Sequence, residues 1–269
     1  MSDKALQLLT EWSWDPSILL GTALFVGAYL GALVPFRSRF RDSEKTNPVQ
    51  VLCFLLGTFI IFIALVSPLD ALGDGYLFTA HMVQHALLMF FAPPLLLLGT
   101  PGWMLRPLLR DPTVRRIAQF FTMAPVALVL FNANMVAWHL PPLYEATLEN
   151  ETVHILEHLS FIATAVVNWW LLLSPLPELP RLSLPAQILY LILDLIPSVV
   201  LGWFFISATT VFYPTYAAAP RVFGISGVDD QFIGGYMMAM PATIMYLGAA
   251  ALLLRQRYDR SERARAEQP

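Results

Sequence analysis

Cysteine is nearly absent. Cys53 is the single one in 269 residues, which excludes a disulfide framework and any paired-cysteine metal or redox motif. Lysine is almost as scarce: Lys4 and Lys45 are the only two, and neither lies in an apolar stretch. A retinal protein, which needs a lysine inside its bundle for the Schiff base, is thereby excluded. Charged residues make up 13% of the chain, where a soluble domain carries about a quarter. With 57% hydrophobic residues and a mean hydropathy of +0.61, the chain holds more apolar surface than a soluble fold can bury. A polytopic membrane protein is the class these shortages leave, with the lipid bilayer as its surroundings and no nucleic-acid partner expected. No cleavable leader is apparent, because the first apolar run continues to full spanning length.

A hydrocarbon core of about 30 Å needs roughly 20 apolar helical residues. By that measure roughly seven stretches qualify, at about 17–36, 48–66, 76–98, 117–138, 153–173, 186–208 and 232–254. Proline punctuates the short connections between them, as in Ser67-Pro68, Thr100-Pro101, Pro141-Pro142, Ser174-Pro175 and Tyr213-Pro214. The expected fold is all-α: a single domain over residues 1–269, a bundle of seven transmembrane helices with short loops and a basic tail from about 255 to 269.

Loop charge predicts the orientation. Arg37, Arg39, Arg41, Lys45, Arg106, Arg110, Arg115, Arg116 and Arg181 fall in alternate connections, and the tail adds Arg255, Arg257, Arg260, Arg263 and Arg265. Only Lys4 and Arg221 fall on the other side. This asymmetry puts the N-terminus outside and the C-terminus in the cytoplasm. The outer connections are acidic instead, with Asp70, Asp74, Glu145, Glu149, Glu151, Asp229 and Asp230.

All five histidines belong to that outer side. They form His81-Met-Val-Gln-His85, Trp138-His139-Leu-Pro-Pro142 and His154-Ile-Leu-Glu-His158. The two i,i+4 pairs each share one helix face, with Glu157 beside the second pair. Met135 lies one turn before His139. If the third span packs against the fourth and fifth, up to five imidazoles and one thioether converge. Imidazole suits copper, zinc and iron, and a thioether biases a site toward Cu(I). Ionisable groups inside spans are costly and usually functional, which favours metal binding by at least one pair. His139 alone is as readily a boundary residue as a ligand, and Met135, Met237, Met238 and Met240 read first as packing residues.

Other polar groups have milder readings. Asn132 and Asn134 read as interhelical hydrogen-bond formers. Asp194, three residues before Pro197, serves either a proton path or backbone groups freed by the proline. Gly234-Gly235 would allow close helix approach.

The ordered set Ser67-Pro68-Leu69, His81-Met82-Val83-Gln84-His85, Pro93-Pro94-Leu95-Leu96 with Gly99 and Pro101, Trp138-His139-Leu140-Pro141 with Tyr144, His154-x-x-Glu157-His158, Trp169-Trp170, and Asp230-Gln231 with Gly235 resembles the multi-span CtaG family. These are assembly factors of bacterial cytochrome c oxidases, the type associated with caa3 oxidases. One departure is that Ala239 follows Met238 where the family often has tryptophan. The resemblance implies a multi-pass protein of the bacterial plasma membrane that helps mature a haem–copper oxidase. Its partners would be oxidase subunits, above all the copper-bearing one, whose centre lies on the outer side.

On that reading the chain is a non-enzymatic copper chaperone. His81, His85, His154 and His158 are primary ligands, and His139 is a further ligand or proton acceptor. Glu157 orients or neutralises, Asp70 and Asp230 attract the cation, and Gln84 and Met135 support the site. Three alternatives remain. His154-x-x-Glu157-His158 matches the inverted zinc-protease signature, which would make an intramembrane zinc metallohydrolase with Glu157 as base. His85 with His158 could ligate a b-type haem for electron transfer. A copper transporter would need soft ligands along the inner half, where only Cys53 and Asp194 are near.

Overall fold

A computed structural model of the chain describes residues 3–40 and 42–266; Arg41 and the last three residues of the expected tail lie outside the described residues. Among the described residues every regular element is helical. In chain order these are α1 (Asp3–Leu8), α2 (Pro16–Leu33), α3 (Pro48–Val66), α4 (Pro68–Gly75), α5 (Phe78–Gly99), α6 (Gly102–Leu105), α7 (Pro112–Phe121), α8 (Ala124–Trp138), α9 (Pro141–Glu149), α10 (Glu151–Leu173), α11 (Leu184–Ile206), α12 (Pro214–Ala218) and α13 (Gly227–Ala266). Among the described residues α2, α3, α5, α10, α11 and α13 are long and apolar enough to cross a membrane.

The seventh candidate span differs from the expected 117–138. The chain is broken after Phe121, and α7 meets α8 at 69°. Pro125 explains the break, because it lacks the N–H that would bond the Phe121 carbonyl and its ring crowds that oxygen. By itself α8 rises about 22 Å, less than the hydrocarbon core. The preceding α7 shows Val114, Ile117 and Phe121 exposed on one face, with Arg115, Arg116 and Gln119 on the other, the pattern of a helix lying in the membrane interface. The last helix runs on into the basic tail, α13 continuing through Ala266.

Helix starts follow from local chemistry. Asp15, Asn47, Ser67 and Asp111 each accept a backbone N–H of the following turn, and each precedes a proline at the first helical position. The capping oxygen and the missing proline N–H together reduce the number of unpaired donors there.

The central span is α5. Of its residues 72% are buried, against 6% for α2 at the periphery. It packs on α3, α10 and α13. Small residues set the spacing: Gly57 and Gly99 let α3 and α5 meet backbone to backbone, and Gly202 faces Gly235 between α11 and α13. Gly234 lies against the Phe78 ring, so the Gly234-Gly235 pair does serve close approach.

Proline inside the apolar bundle leaves carbonyls that only neighbours can satisfy. Residues Leu87–Phe91 of α5 form a π turn just before Pro93-Pro94. The Met89 carbonyl finds no N–H four or five residues on, and the Trp169 indole of α10 donates to it at 3.0 Å. Pro68 likewise cannot bond the Ala64 carbonyl, which accepts from the Gln84 amide at 2.9 Å.

Asp194 is a four-helix hub. Its carboxylate accepts from Asn132 of α8 at 2.7 Å and Asn168 of α10 at 2.6 Å. Asn168 in turn meets Tyr190 of α11 and Tyr246 of α13. A carboxylate cannot serve the carbonyl freed by Pro197, so Asp194 acts between helices. Asn134 bonds Thr164 and Trp138, as expected of an interhelical amide.

Two consequences are measurable as unfolding midpoints in detergent. Trp169→Phe strands the Met89 carbonyl and is expected to destabilise the protein by about 1–3 kcal/mol. Gly99→Ala drives a methyl group into the Phe54 backbone and is expected to lower the midpoint by a similar amount, about 1–3 kcal/mol. Gly21→Ala, which meets nothing within 4 Å, should leave the midpoint unchanged.

Candidate metal centre

The first turns of α5 and α10 carry the two histidine pairs, and the two helices pack side by side. Helical spacing brings His81 edge-on to His85 and His154, tilted, to His158, with ring centroids 4.3 and 4.2 Å apart. Between the two helices His81, His154, Glu157 and His158 each offer a ligand atom, all within 4.8 Å of one another. His154 Nε2 and His158 Nε2 are 3.1 Å apart.

Glu157 is fully buried. Its Oε2 lies 3.5 Å from His81 Nε2 and its Oε1 lies 3.6 Å from His85 Nε2. Neither oxygen has a hydrogen bond of ordinary length, and neither ring nitrogen of His81 or His85 has one. A buried carboxylate without donors is strongly disfavoured unless a positive charge accompanies it. Imidazole and carboxylate together are a donor set for a transition-metal cation, and the orphaned atoms face one another, so the residues present fit such an ion.

The structure therefore draws Glu157 inward, into the group of potential ligands. His85 touches the carboxylate from the adjoining turn and stands outside that closest set of four. His139 ends α8, with its ring 5.8 Å from that of His85. Its Nδ1 bonds the Met135 carbonyl at 2.7 Å, and its own carbonyl accepts from the Tyr213 hydroxyl at 2.8 Å.

The expected supporting residues have separate duties. Gln84 donates to Asp70 Oδ1 at 2.9 Å as well as to Ala64, tying α4 to α5. Both oxygens of Asp230 are committed to the backbone N–H groups of Phe78 and Thr79, at 2.7 and 3.0 Å, so this residue of α13 caps the start of α5. Asp70 and Asp74 line a cleft of about 570 Å³ with Glu151, and the cleft reaches His154 and His158. Burial raises the pKa of both aspartates, that of Asp74 to about 7; Gln84 opposes this at Asp70, and neighbouring Asp70 adds to it at Asp74.

Two parts of the site had no clear signal in the sequence. Asp74 Oδ1 lies 3.4 Å from His154 Nδ1, the position from which a carboxylate orients a ligating imidazole. Tyr144, Tyr213 and Tyr216 close the histidine end, Tyr144 stacking on Tyr213 at 3.9 Å and lying 5.1 Å from the His81 ring. Burial holds all three phenols well above their ordinary pKa, which keeps them protonated. They come from the short helices α9 and α12 and the turn before α12, so only the fold reveals their meeting.

No solved structure matches the chain. Uncharacterized proteins of Mycobacterium bovis and Mycobacterium tuberculosis are each 25% identical to it over 197 residues, covering 68% of this chain. The chain spans about 29% of the length of those curated relatives. The family described as Cytochrome c oxidase caa3 assembly factor matches residues 27–260, most of the sequence, and the chain belongs to that family.

Proposed function

We propose that this chain captures a copper ion at His81, His154, Glu157 and His158 and passes it to the copper-bearing subunit of a cytochrome c oxidase during assembly. On this reading the histidine end faces outward from the bacterial plasma membrane, in line with loop charge. The observation that carries it is the buried Glu157 carboxylate, enclosed by imidazole nitrogens and without a hydrogen bond of ordinary length. Membership of an oxidase assembly family supports a non-catalytic role and supplies the class of partner. Copper is favoured over other imidazole-binding metals because that partner carries it.

The residues divide the task. Asp70, Asp74 and Glu151 give the cleft an acidic wall that attracts a cation toward His154 and His158. Asp74 Oδ1, 3.4 Å from His154 Nδ1, stands where it would orient that ring on an ion, and Glu157 neutralises the ion once it is enclosed. When bound, the ion supplies only its charge and its preference for ligands. Release needs a partner with better ligands, which makes delivery a ligand exchange. The packing weighs against a b-type haem: the His85 and His158 rings are 5.6 Å apart, and both touch His81, leaving no slot for a porphyrin between them.

In cells carrying the His81→Ala/His154→Ala/His158→Ala variant, purified oxidase is expected to contain less copper per haem while the variant itself still accumulates in the membrane. A full copper complement there would overturn the proposal. Elemental analysis of the detergent-purified parent should find copper, and zinc alone would favour hydrolytic chemistry. Glu157→Gln preserves shape and removes the charge; competition with a chelator should show affinity lower by about 10–100-fold, the range typical of lost carboxylate support.

A further inference from the structure

Beside the carboxylate–imidazole group lies a second, chemically different enclosure. Met82 and Met89 of α5, Met135 of α8, and Met237 and Met238 of α13 line one small cavity. The rings of His85 and His139 complete its wall. Half of the chain's ten methionines thus meet at one point. Its volume is about 20 Å³, room for a single atom or ion and no organic ligand.

The polar groups around it are set for a cation. A carbonyl oxygen can only accept, so the 2.7 Å contact with Met135 makes His139 Nδ1 the N–H of the ring. His139 Nε2 is then a bare lone pair, and it is buried with no hydrogen-bond partner. The backbone bond on the far nitrogen is the arrangement that fixes tautomer and orientation in metal-bound imidazoles. Ser198 of α11 donates to the Met135 sulfur at 3.4 Å, which steadies that thioether and leaves its other lone pair free. Both ring nitrogens of His85 are also unpartnered.

We propose that this cavity is a separate Cu(I) site, built from methionine thioethers and His139 Nε2. Soft neutral sulfur selects a soft monovalent ion over zinc, magnesium or calcium. His85 joins the two enclosures, its ring lying 5.6 Å from that of His158 and 5.8 Å from that of His139. A Cu(I) ion taken up at the Glu157 group therefore has a neighbouring site without any carboxylate, reached with no change of oxidation state. The identity of the ion rests on the copper reading above; the enclosure and its bare nitrogen stand independently of it.

The test uses the full-length protein in detergent, loaded anaerobically with Cu(I) and examined by chelator competition and X-ray absorption. The parent is expected to bind about two ions, with sulfur among the nearest scatterers. A variant with all five lining methionines replaced together (Met82→Leu, Met89→Leu, Met135→Leu, Met237→Leu and Met238→Leu), which conserves volume, should bind about one ion and lose the sulfur signal. His154→Ala/His158→Ala should also bind about one ion but keep that signal. Copper with nitrogen and oxygen neighbours alone in the parent, or sulfur scattering that survives in the leucine variant, would overturn the thioether site while leaving the Glu157 group intact. Copper content unaffected by the two alanines would instead count against the Glu157 group. The spectrum of the unmodified parent decides the matter even if the leucine variant fails to fold.

Discussion

The burial of one carboxylate organises the histidine end of this bundle. Glu157 sits at zero exposure between imidazoles of α5 and α10. An isolated charge in so apolar a setting is expensive, and the surrounding residues meet it with imidazole nitrogens, which together with the carboxylate make a donor set for a cation. Two helices must lie side by side in one register for this to occur. The packing of α5 against α10, the cap that Asp230 places on α5 and the tyrosines over His81 all serve that register.

A membrane bundle cannot leave backbone groups to water, and this one contains prolines in awkward places. Its solution is to satisfy freed carbonyls from neighbouring helices. Trp169 serves Met89 behind Pro93-Pro94, and Gln84 serves Ala64 behind Pro68. Each repair also locks one helix to another, so the irregular turns become points of attachment. The π turn of α5, Leu87–Phe91, follows directly on the turn that carries His85 and itself contains the repaired Met89 carbonyl. The geometry of the site is therefore coupled to the geometry of the break.

Much of this was readable beforehand because the signals are local. The i,i+4 spacing of His81 with His85 and of His154 with His158 places each pair on one face whatever the tertiary arrangement. Asn132 and Asn134 had to find polar partners in an apolar bundle, and they did. Other expectations failed or changed because they depended on position. The run 117–138 is apolar throughout, yet Pro125 divides it and sends α7 off at 69°. Asp230 carries the charge expected of a cation funnel, but both its oxygens are occupied by a helix start far away in sequence. Met135 was legible as a possible thioether beside the imidazoles, but its meeting with Met82, Met89, Met237 and Met238 was not, since thioethers are ordinary packing residues until several are seen to line one cavity.

By itself the sequence determined the class of molecule, most of its spans and the pairing of histidines along each helix. Composition, hydropathy and turn chemistry act over a few residues, and neighbours in space are not needed to read them. Only the tertiary structure decided that Glu157 stands among the potential ligands, that Asp74 lies beside His154, and that His139, with an unpartnered Nε2, shares one cavity with five methionines. These relations join residues up to about a hundred and sixty positions apart, through the rotation and depth at which one helix meets the next. That choice is made by the small residues and side-chain hydrogen bonds at helix contacts, and no periodicity along the chain records it.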